Sequence, residues 1–239
     1  MKIALLGYGK MGKEIEQIAI QRKHEIILKV DINNLSSYSI EELKNADAAI
    51  EFSIPEAAYG NIMKCFNLNI PIVVGTTGWL NKLEEVKKIC LDKNQTLFYS
   101  SNYSIGVNIF FKLNEHLAKI MNHYQQYNVS MLEEHHINKL DSPSGTAITL
   151  ANQIIESNSG KENWVNASSD KSSELEIISK RIAEVPGTHS IKYFSAIDEI
   201  EIKHHAYNRK GFALGAVLAT EWLQGKKGIF GMNDLLNIV

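Results

Sequence analysis

The spacing of apolar residues changes once along this chain, from a strand–helix rhythm to a run of strands. Residues 2–6 form a short apolar run that stops at Gly7, after which Met11, Ile15, Ile18 and Ala19 recur at helical spacing. The same alternation continues through a strand at 26–30, a capping box Ser39-x-x-Glu42, a strand at 48–52 and a helix opened by Pro55. A strand at 70–74, a helix carrying Leu83, Val86, Ile89 and Cys90, and a strand at 96–99 follow. Strands separated by helices call for a parallel sheet covered on both faces, so this part reads as a Rossmann-type α/β domain.

A helix over 107–121 leads into the second rhythm. Tyr127, Val129, Met131, Glu133 and His135 alternate with Asn128, Ser130, Leu132, Glu134 and His136, the period of a strand, so the two histidines should point different ways. Ala147, Ile148, Leu150, Ala151, Ile154 and Ile155 return to helical spacing, and Ser142-Pro143 supplies an N-cap and first turn, so a helix is expected to begin near Pro143. Residues 157–173 are polar and read as a featureless, exposed insertion. Strands are expected at 177–183, 188–195 and 199–205, the last two joined by a turn at 196–198. This is a second, α+β domain with a mixed or antiparallel sheet, whose uncommitted face predicts a homo-oligomer. A helix over 212–223 and the tail 227–236 return to the first domain. The expected division is 1–105 plus 210–239 for dinucleotide binding, and 106–209 for substrate binding and oligomerisation.

Composition narrows the class. With 239 residues, 44% hydrophobic and 22% charged, the chain is that of an ordinary globular protein, and a net charge of −2 gives no reason to bind nucleic acid or a membrane. Any anion site must be local. No run approaches a membrane span and the N-terminal apolar stretch is too short for a signal peptide, while Cys65 and Cys90 fall in apolar helical patterns as buried thiols; a cytoplasmic location is expected.

The candidate chemistry lies at the ends of strands. Gly7-Tyr8-Gly9-Lys10-Met11-Gly12 fits G-x-G-x-x-G between a strand and a helix, where backbone amides can approach a pyrophosphate. Asp31 ends the next strand, about twenty residues on, where a carboxylate would bind ribose hydroxyls and repel a 2′-phosphate. NADH is therefore expected over NADPH, against the plainer reading that Asp31 caps a turn. Gly75, Thr76 and Thr77, and Ser100, Ser101, Asn102 and Tyr103, follow strands directly and so join the cofactor edge. Between Glu133 and Ala147, His135 offers a proton, Lys139 a positive charge, and Ser144, Gly145 and Thr146 a helix start with free N–H groups; no metal site enters this reading. His189, His204 and His205 read as packing or surface residues, with Arg209 a weaker candidate carboxylate partner.

Glu133 through Ala147 resembles the Glu-x-His-His-x-x-Lys-x-Asp-x-Pro-Ser-Gly-Thr-Ala signature of the dihydrodipicolinate reductases. Gly75–Gly78, Asn102–Asn108 and Gly228-Ile229-Phe230-x-Met232-x-Asp234 resemble further blocks of that family in the same order, and the likeness extends over nearly the whole chain. It implies hydride transfer from NADH or NADPH to a small cyclic imine-bearing dicarboxylate, 4-hydroxy-tetrahydrodipicolinate, in lysine and diaminopimelate biosynthesis, by a cytoplasmic homotetramer. By the same resemblance, His135 and Lys139 are the catalytic pair, and His136, with the Ser144–Thr146 helix start, contacts substrate. The sequence departs from the family pattern at Ser101, where proline is frequent, and at Ile137 and Asn138, where basic residues are frequent. Two rival functions are another nicotinamide-linked amino-acid dehydrogenase and a non-catalytic NADH sensor. A sensor has no use for the His-His-x-x-Lys cluster.

Overall fold

A computed structural model describes residues 1–34 and 38–237. The chain divides into two compact units, Met1–Ile105 with Lys210–Val239, and Gly106–Arg209. In chain order the first unit begins with β1 (Lys2–Leu6), α1 (Lys10–Gln21), β2 (Glu25–Val30), α2 (Ile40–Lys44) and β3 (Ala48–Glu51). It continues with α3 (Pro55–Asn67), β4 (Ile72–Val74), a 3₁₀ turn at Leu80–Lys82, α4 (Leu83–Asp92) and β5 (Thr96–Tyr99). Then come α5 (Ile105–Met121), β6 (Asn128–His135), α6 (Gly145–Ser157), β7 (Asn163–Val165), β8 (Glu174–Arg181), β9 (Gly187–Phe194) and β10 (Glu199–Ala206). The chain closes with α7 (Lys210–Trp222), β11 (Gly228–Phe230) and α8 (Met232–Leu236).

In the first unit six parallel strands run in the order β11-β5-β4-β3-β1-β2. Alternate residues of each strand supply opposite faces: Ala4 and Leu6 pack with α3 and α4, whereas Ile3 and Leu5 pack with α1 and α7. The doubly wound α/β architecture expected from the alternation is present. Strand order reverses at β1, which has β2 on one side and β3 on the other, so a crevice opens outside the carboxyl ends of β1 and β3.

The second unit holds a five-stranded mixed sheet, β10-β9-β6-β8-β7. Its central strand β6 runs antiparallel to β9 and parallel to β8. Val129, Met131, Ile177, Ile191 and Tyr193 make an apolar surface that α6 covers with Ala147, Leu150, Ala151 and Ile154.

Two local expectations need correcting. The segment 157–173 is not featureless: Trp164 packs against the core and β7 adds an edge strand beside β8, while the Lys161 ammonium donates to the carbonyls of Ser172 and Glu174 at 2.8 and 2.9 Å. A three-residue strand is too short to show a period. Helix α6 starts at Gly145 rather than near Pro143. Its N-cap is Ser144, because its hydroxyl accepts from Ala147 N–H at 3.2 Å and closes the helix start there, while the Ser144 N–H donates to the Glu133 carboxylate.

Candidate functional site

In the first unit, the crevice at the strand-order reversal contains a cavity of ≈ 330 Å³ bounded by Gly7, Tyr8, Gly9, Asp31, Phe52 and Ser53. Each glycine of the loop has its own reason. Gly7 has φ +112°, and a Cβ there would lie 2.1 Å from the Phe52 carbonyl oxygen; at Gly12 a Cβ would lie 2.3 Å from the Gly7 carbonyl oxygen. These two let β1, β3 and α1 pack closely. Gly9 differs, since a Cβ there would meet nothing within 4 Å. It caps α1 without a side-chain hydrogen bond, so the first-turn N–H groups of Lys10, Met11 and Gly12 have no intrahelical acceptor. Open space beside unpaired amides fits a dinucleotide pyrophosphate.

Tyr8 hydrogen-bonds Glu16 and carries Lys29 over its ring at 5.0 Å, which steadies the loop, and the Lys10 side chain is exposed. Asp31 does cap a turn: its Oδ1 accepts from Asn33 N–H at 2.7 Å and its own N–H donates to Asn34 Oδ1 at 2.7 Å. Oδ2 has a 3.4 Å contact with Asn33 Nδ2, so the carboxylate borders the cavity with one oxygen lightly held.

The other expected cofactor loops divide by burial. A Cβ on Gly75 would sit 2.2 Å from the Phe52 ring, and the buried Thr76 hydroxyl accepts from Ser53 N–H at 2.8 Å. Glu51, fully buried, accepts from Ser53 and Asn61 and ties the loops after β3 and β4 together; burial pushes its carboxyl above the usual range. Thr77 and Ser101 are exposed. Ser100 and Asn102 bond each other, Ser100 Oγ donating to the Asn102 carbonyl at 2.8 Å and accepting its N–H at 3.1 Å. Tyr103 corrects the expectation for its side chain: 1% exposed, it packs between Phe52 and Phe98 and donates to the Val74 carbonyl at 2.8 Å, because an aromatic ring gains more from the core than from a wet loop.

In the second unit, the inward face of β6 turns from apolar to polar toward its end. Register places Met131 between Ile177 and Ile191, then Glu133 between Ser179 and His189, and then His135 beside Arg181. Glu133 is 0% exposed, His189 5% and His135 7%. Both Glu133 oxygens accept from Ser144 N–H at 3.1 Å, and Oε1 also accepts from Ser179 Oγ at 2.8 Å. His135 Nδ1 and His189 Nε2 lie 3.5 and 3.6 Å from Oε2, and Arg181 lies 3.7 Å from Oε1. Atoms of Glu133, His135 and His189 lie within 4.8 Å of one another, the spread of a possible cation site, yet the serine donors already occupy both carboxylate oxygens.

His136 lies just past the end of β6 and is partly buried, so strand alternation no longer governs its direction. Lys139 pairs with Asp141 at 2.7 Å, and Arg181 grips the same loop by donating to the carbonyls of Lys139 and Asp141 at 3.2 and 2.6 Å. Gly145 is exposed and, with Thr146, begins α6, where N–H groups lack intrahelical acceptors. Ser144 is buried, its N–H serving Glu133 and its hydroxyl serving Ala147 and His189. Sequence reasoning passed over Glu133, His189 and Arg181. A carboxylate at the inward parity of β6 was the signal available for Glu133; the other two depend on strand register.

Burial alone would push the Glu133 carboxyl up, but the neighbouring His189 and hydrogen bonds from Ser144 and Ser179 hold it down at about 2. Burial, followed by the neighbouring His189, pushes His135 down to about 4. Both shifts have one sign. Between 6.5 and about 4 the unfolded chain protonates His135 and the folded chain does not; below 4.5 the same holds for Glu133 until about 2. Stability must therefore fall with acidification, by about 3 kcal/mol from His135 alone between pH 7 and pH 4. Urea unfolding at the two pH values measures this, and equal midpoints would contradict it.

Residues 1–103 match the family model described as dihydrodipicolinate reductase, N-terminus, and residues 106–236 match the one described as its C-terminus. The chain is 49% identical over 237 residues to the 4-hydroxy-tetrahydrodipicolinate reductase of Christiangramia forsetii, covering 99% of this chain and 98% of that protein. It is 31% identical over 254 residues to the enzyme of the same name from Methanoregula boonei, covering 99% and 98%. In fold it is similar to the dipicolinate-bound dihydrodipicolinate reductase from Paenisporosarcina sp. TG-14, with a TM-score of 0.80 at 22% identity over 100% of this chain and 99% of that one.

Proposed function

The chain belongs to the dihydrodipicolinate reductase family, and from that premise we propose that it reduces 4-hydroxy-tetrahydrodipicolinate to tetrahydrodipicolinate with loss of water. It is an NAD(P)H-dependent oxidoreductase of lysine and diaminopimelate biosynthesis. The observation that carries the reading is one polar corner: His135 and Lys139 on and after β6, beside the unpaired N–H groups that open α6.

When bound, the reduced nicotinamide supplies the hydride, and the protein supplies the proton and the grip on two carboxylates. Lys139 exchanges Asp141 for one substrate carboxylate; the N–H groups of Gly145 and Thr146 take the other; His136 contacts the ring. His135 moves the proton. The site keeps this imidazole neutral at pH 7, so it becomes a donor only when a dianionic substrate replaces water beside it and favours imidazolium. Gly9 and the first turn of α1 take the pyrophosphate, with Gly7, Gly12, Gly75 and Thr76 shaping the loops and Thr77 and Ser101 exposed toward solvent or ligand.

NADH is the preferred cofactor on this reading, because the Asp31 carboxylate borders the cavity and Ile32, Asn33 and Asn34 offer no cation to a 2′-phosphate. Replacing Asp31 by alanine should narrow the ratio of kcat/KM for NADH over NADPH by roughly tenfold, the effect of about 1.4 kcal/mol. An unchanged ratio would leave Asp31 as a turn cap alone. We further propose a homotetramer assembled through the mixed sheet, whose edge strand β10 keeps Glu199, Glu201 and Lys203 exposed; a light-scattering mass of a single 26.9 kDa chain would refute it. No described helix is long and apolar enough to cross a membrane, and a cytoplasmic location fits a nicotinamide-linked biosynthetic step.

A further inference from the structure

We propose that Glu133 is a positioning residue for His135: it fixes hydrogen on Nδ1 of that ring, so that Nε2 is the atom through which the proton passes, and His189 stands beside the same carboxylate oxygen. This deepens the reductase reading and rests on His135 as its proton-transferring group.

The arrangement follows from strand geometry. Glu133 and His135 are two apart on β6 and share a face, and pairing with β8 and β9 brings Ser179 and His189 to the flanks of Glu133. The carboxylate cannot swing away, because Ser144 N–H donates to both oxygens and Ser179 Oγ to one. Its place is set before any ligand arrives. His135 Nδ1 is buried without a hydrogen-bond partner among the described residues, and it faces the acceptor Glu133 Oε2 at 3.5 Å. That distance is too long for a hydrogen bond and becomes one after a small ring movement, as catalytic contacts commonly tighten when substrate binds.

An ionised carboxylate only accepts, so the ring nitrogen that faces it must carry hydrogen. Nε2 is left as the exchanging atom. On its side stands Gly187, where a Cβ would lie 3.1 Å from Nε2; any larger residue there would crowd the nitrogen. His189 completes the arrangement by lying 3.6 Å from Oε2 and 3.1 Å from Ser144 Oγ, with its ring edge-to-face on His135 at 5.0 Å. Other charges near the ring come from Arg181 on β8 and Lys139 in the following loop, both cationic, so Glu133 is the one carboxylate among the groups that set its charge. Removing it must make imidazolium harder to form.

Two measurements test this. Nitrogen-15 NMR of the histidine side chains in the unmodified protein should show His135 with hydrogen on Nδ1 and bare Nε2; the opposite tautomer overturns the proposal, whatever any variant does. In Glu133→Gln, kcat should fall roughly 100-fold with KM for the cyclic substrate within about threefold, and the fall of kcat/KM with rising pH should move to lower pH. Glu133→Asp should recover part of the loss. Unchanged kcat, or a loss confined to KM, overturns the proposal, and if Glu133→Gln does not fold the NMR result decides. An unmodified protein that fails to turn over the cyclic substrate refutes the reductase reading instead, a result distinct from the wrong tautomer.

Discussion

Replacing His135 by glutamine is expected to lower kcat by about 10²- to 10⁴-fold while leaving KM for the cyclic substrate nearly unchanged, the range that positioned proton transfer contributes. Glutamine is close to histidine in size and keeps polar atoms in the buried corner, but it cannot shuttle a proton. Its amide can still face Glu133, so the strand and the start of α6 should persist. Lys139→Ala should behave differently. Lys139 sits outside the strand, half in water, with its ammonium on Asp141. Its removal takes a carboxylate anchor from both ground and transition states, so KM should rise about tenfold and kcat fall as well. Rapid-quench and steady-state kinetics of the two variants separate the roles. Near-normal kcat in His135→Gln would remove the imidazole from the chemistry, and a Lys139→Ala enzyme with unchanged KM would remove the lysine from binding.

The second large effect is expected in the glycine loop, where two glycines separated by one residue should fail in different ways. Gly7→Ala places a methyl group 2.1 Å from the Phe52 carbonyl at φ +112°, a conformation that alanine rarely adopts. Steric overlap in a packed strand junction together with that backbone strain should cost about 3 kcal/mol, or roughly 10 °C in Tm. Gly9→Ala meets no protein atom, and its φ of −81° with ψ of −152° is open to any residue. Its Tm should stay within a few degrees of the unmodified protein while KM for NADH rises more than tenfold, because the methyl occupies the space assigned to the pyrophosphate. Calorimetry and cofactor titration read both quantities. A Gly9→Ala protein that binds NADH normally would show that this space is not used.

What could be read in the sequence depended on how local the cause was. The first sheet follows from apolar runs and their turns, and the parallel architecture came directly from strand and helix alternating within thirty residues. The alternation that puts Glu133 and His135 on one face of β6 is legible because a strand of eight residues repeats its period several times. β7 is not legible because three residues show no period, and Ser142 and Ser144 are both acceptable N-cap residues, so the sequence alone does not fix which of them opens α6. Tyr103 has the same sequence context as its polar neighbours; only the apolar pocket between Phe52 and Phe98 explains why its ring turns inward. His189 and Arg181 are placed by register between strands about fifty residues apart. No local signal distinguishes that pairing from a slip by one residue, which would have turned His189 away from Glu133.

The family and the polar corner lead to one reaction, and turnover tests it most directly. Purified protein supplied with freshly generated 4-hydroxy-tetrahydrodipicolinate should oxidise NADH stoichiometrically with substrate consumed, and planar pyridine-2,6-dicarboxylate should inhibit in competition with that substrate. No substrate-dependent oxidation of NADH or NADPH, in a protein that calorimetry shows to be folded, would contradict the account.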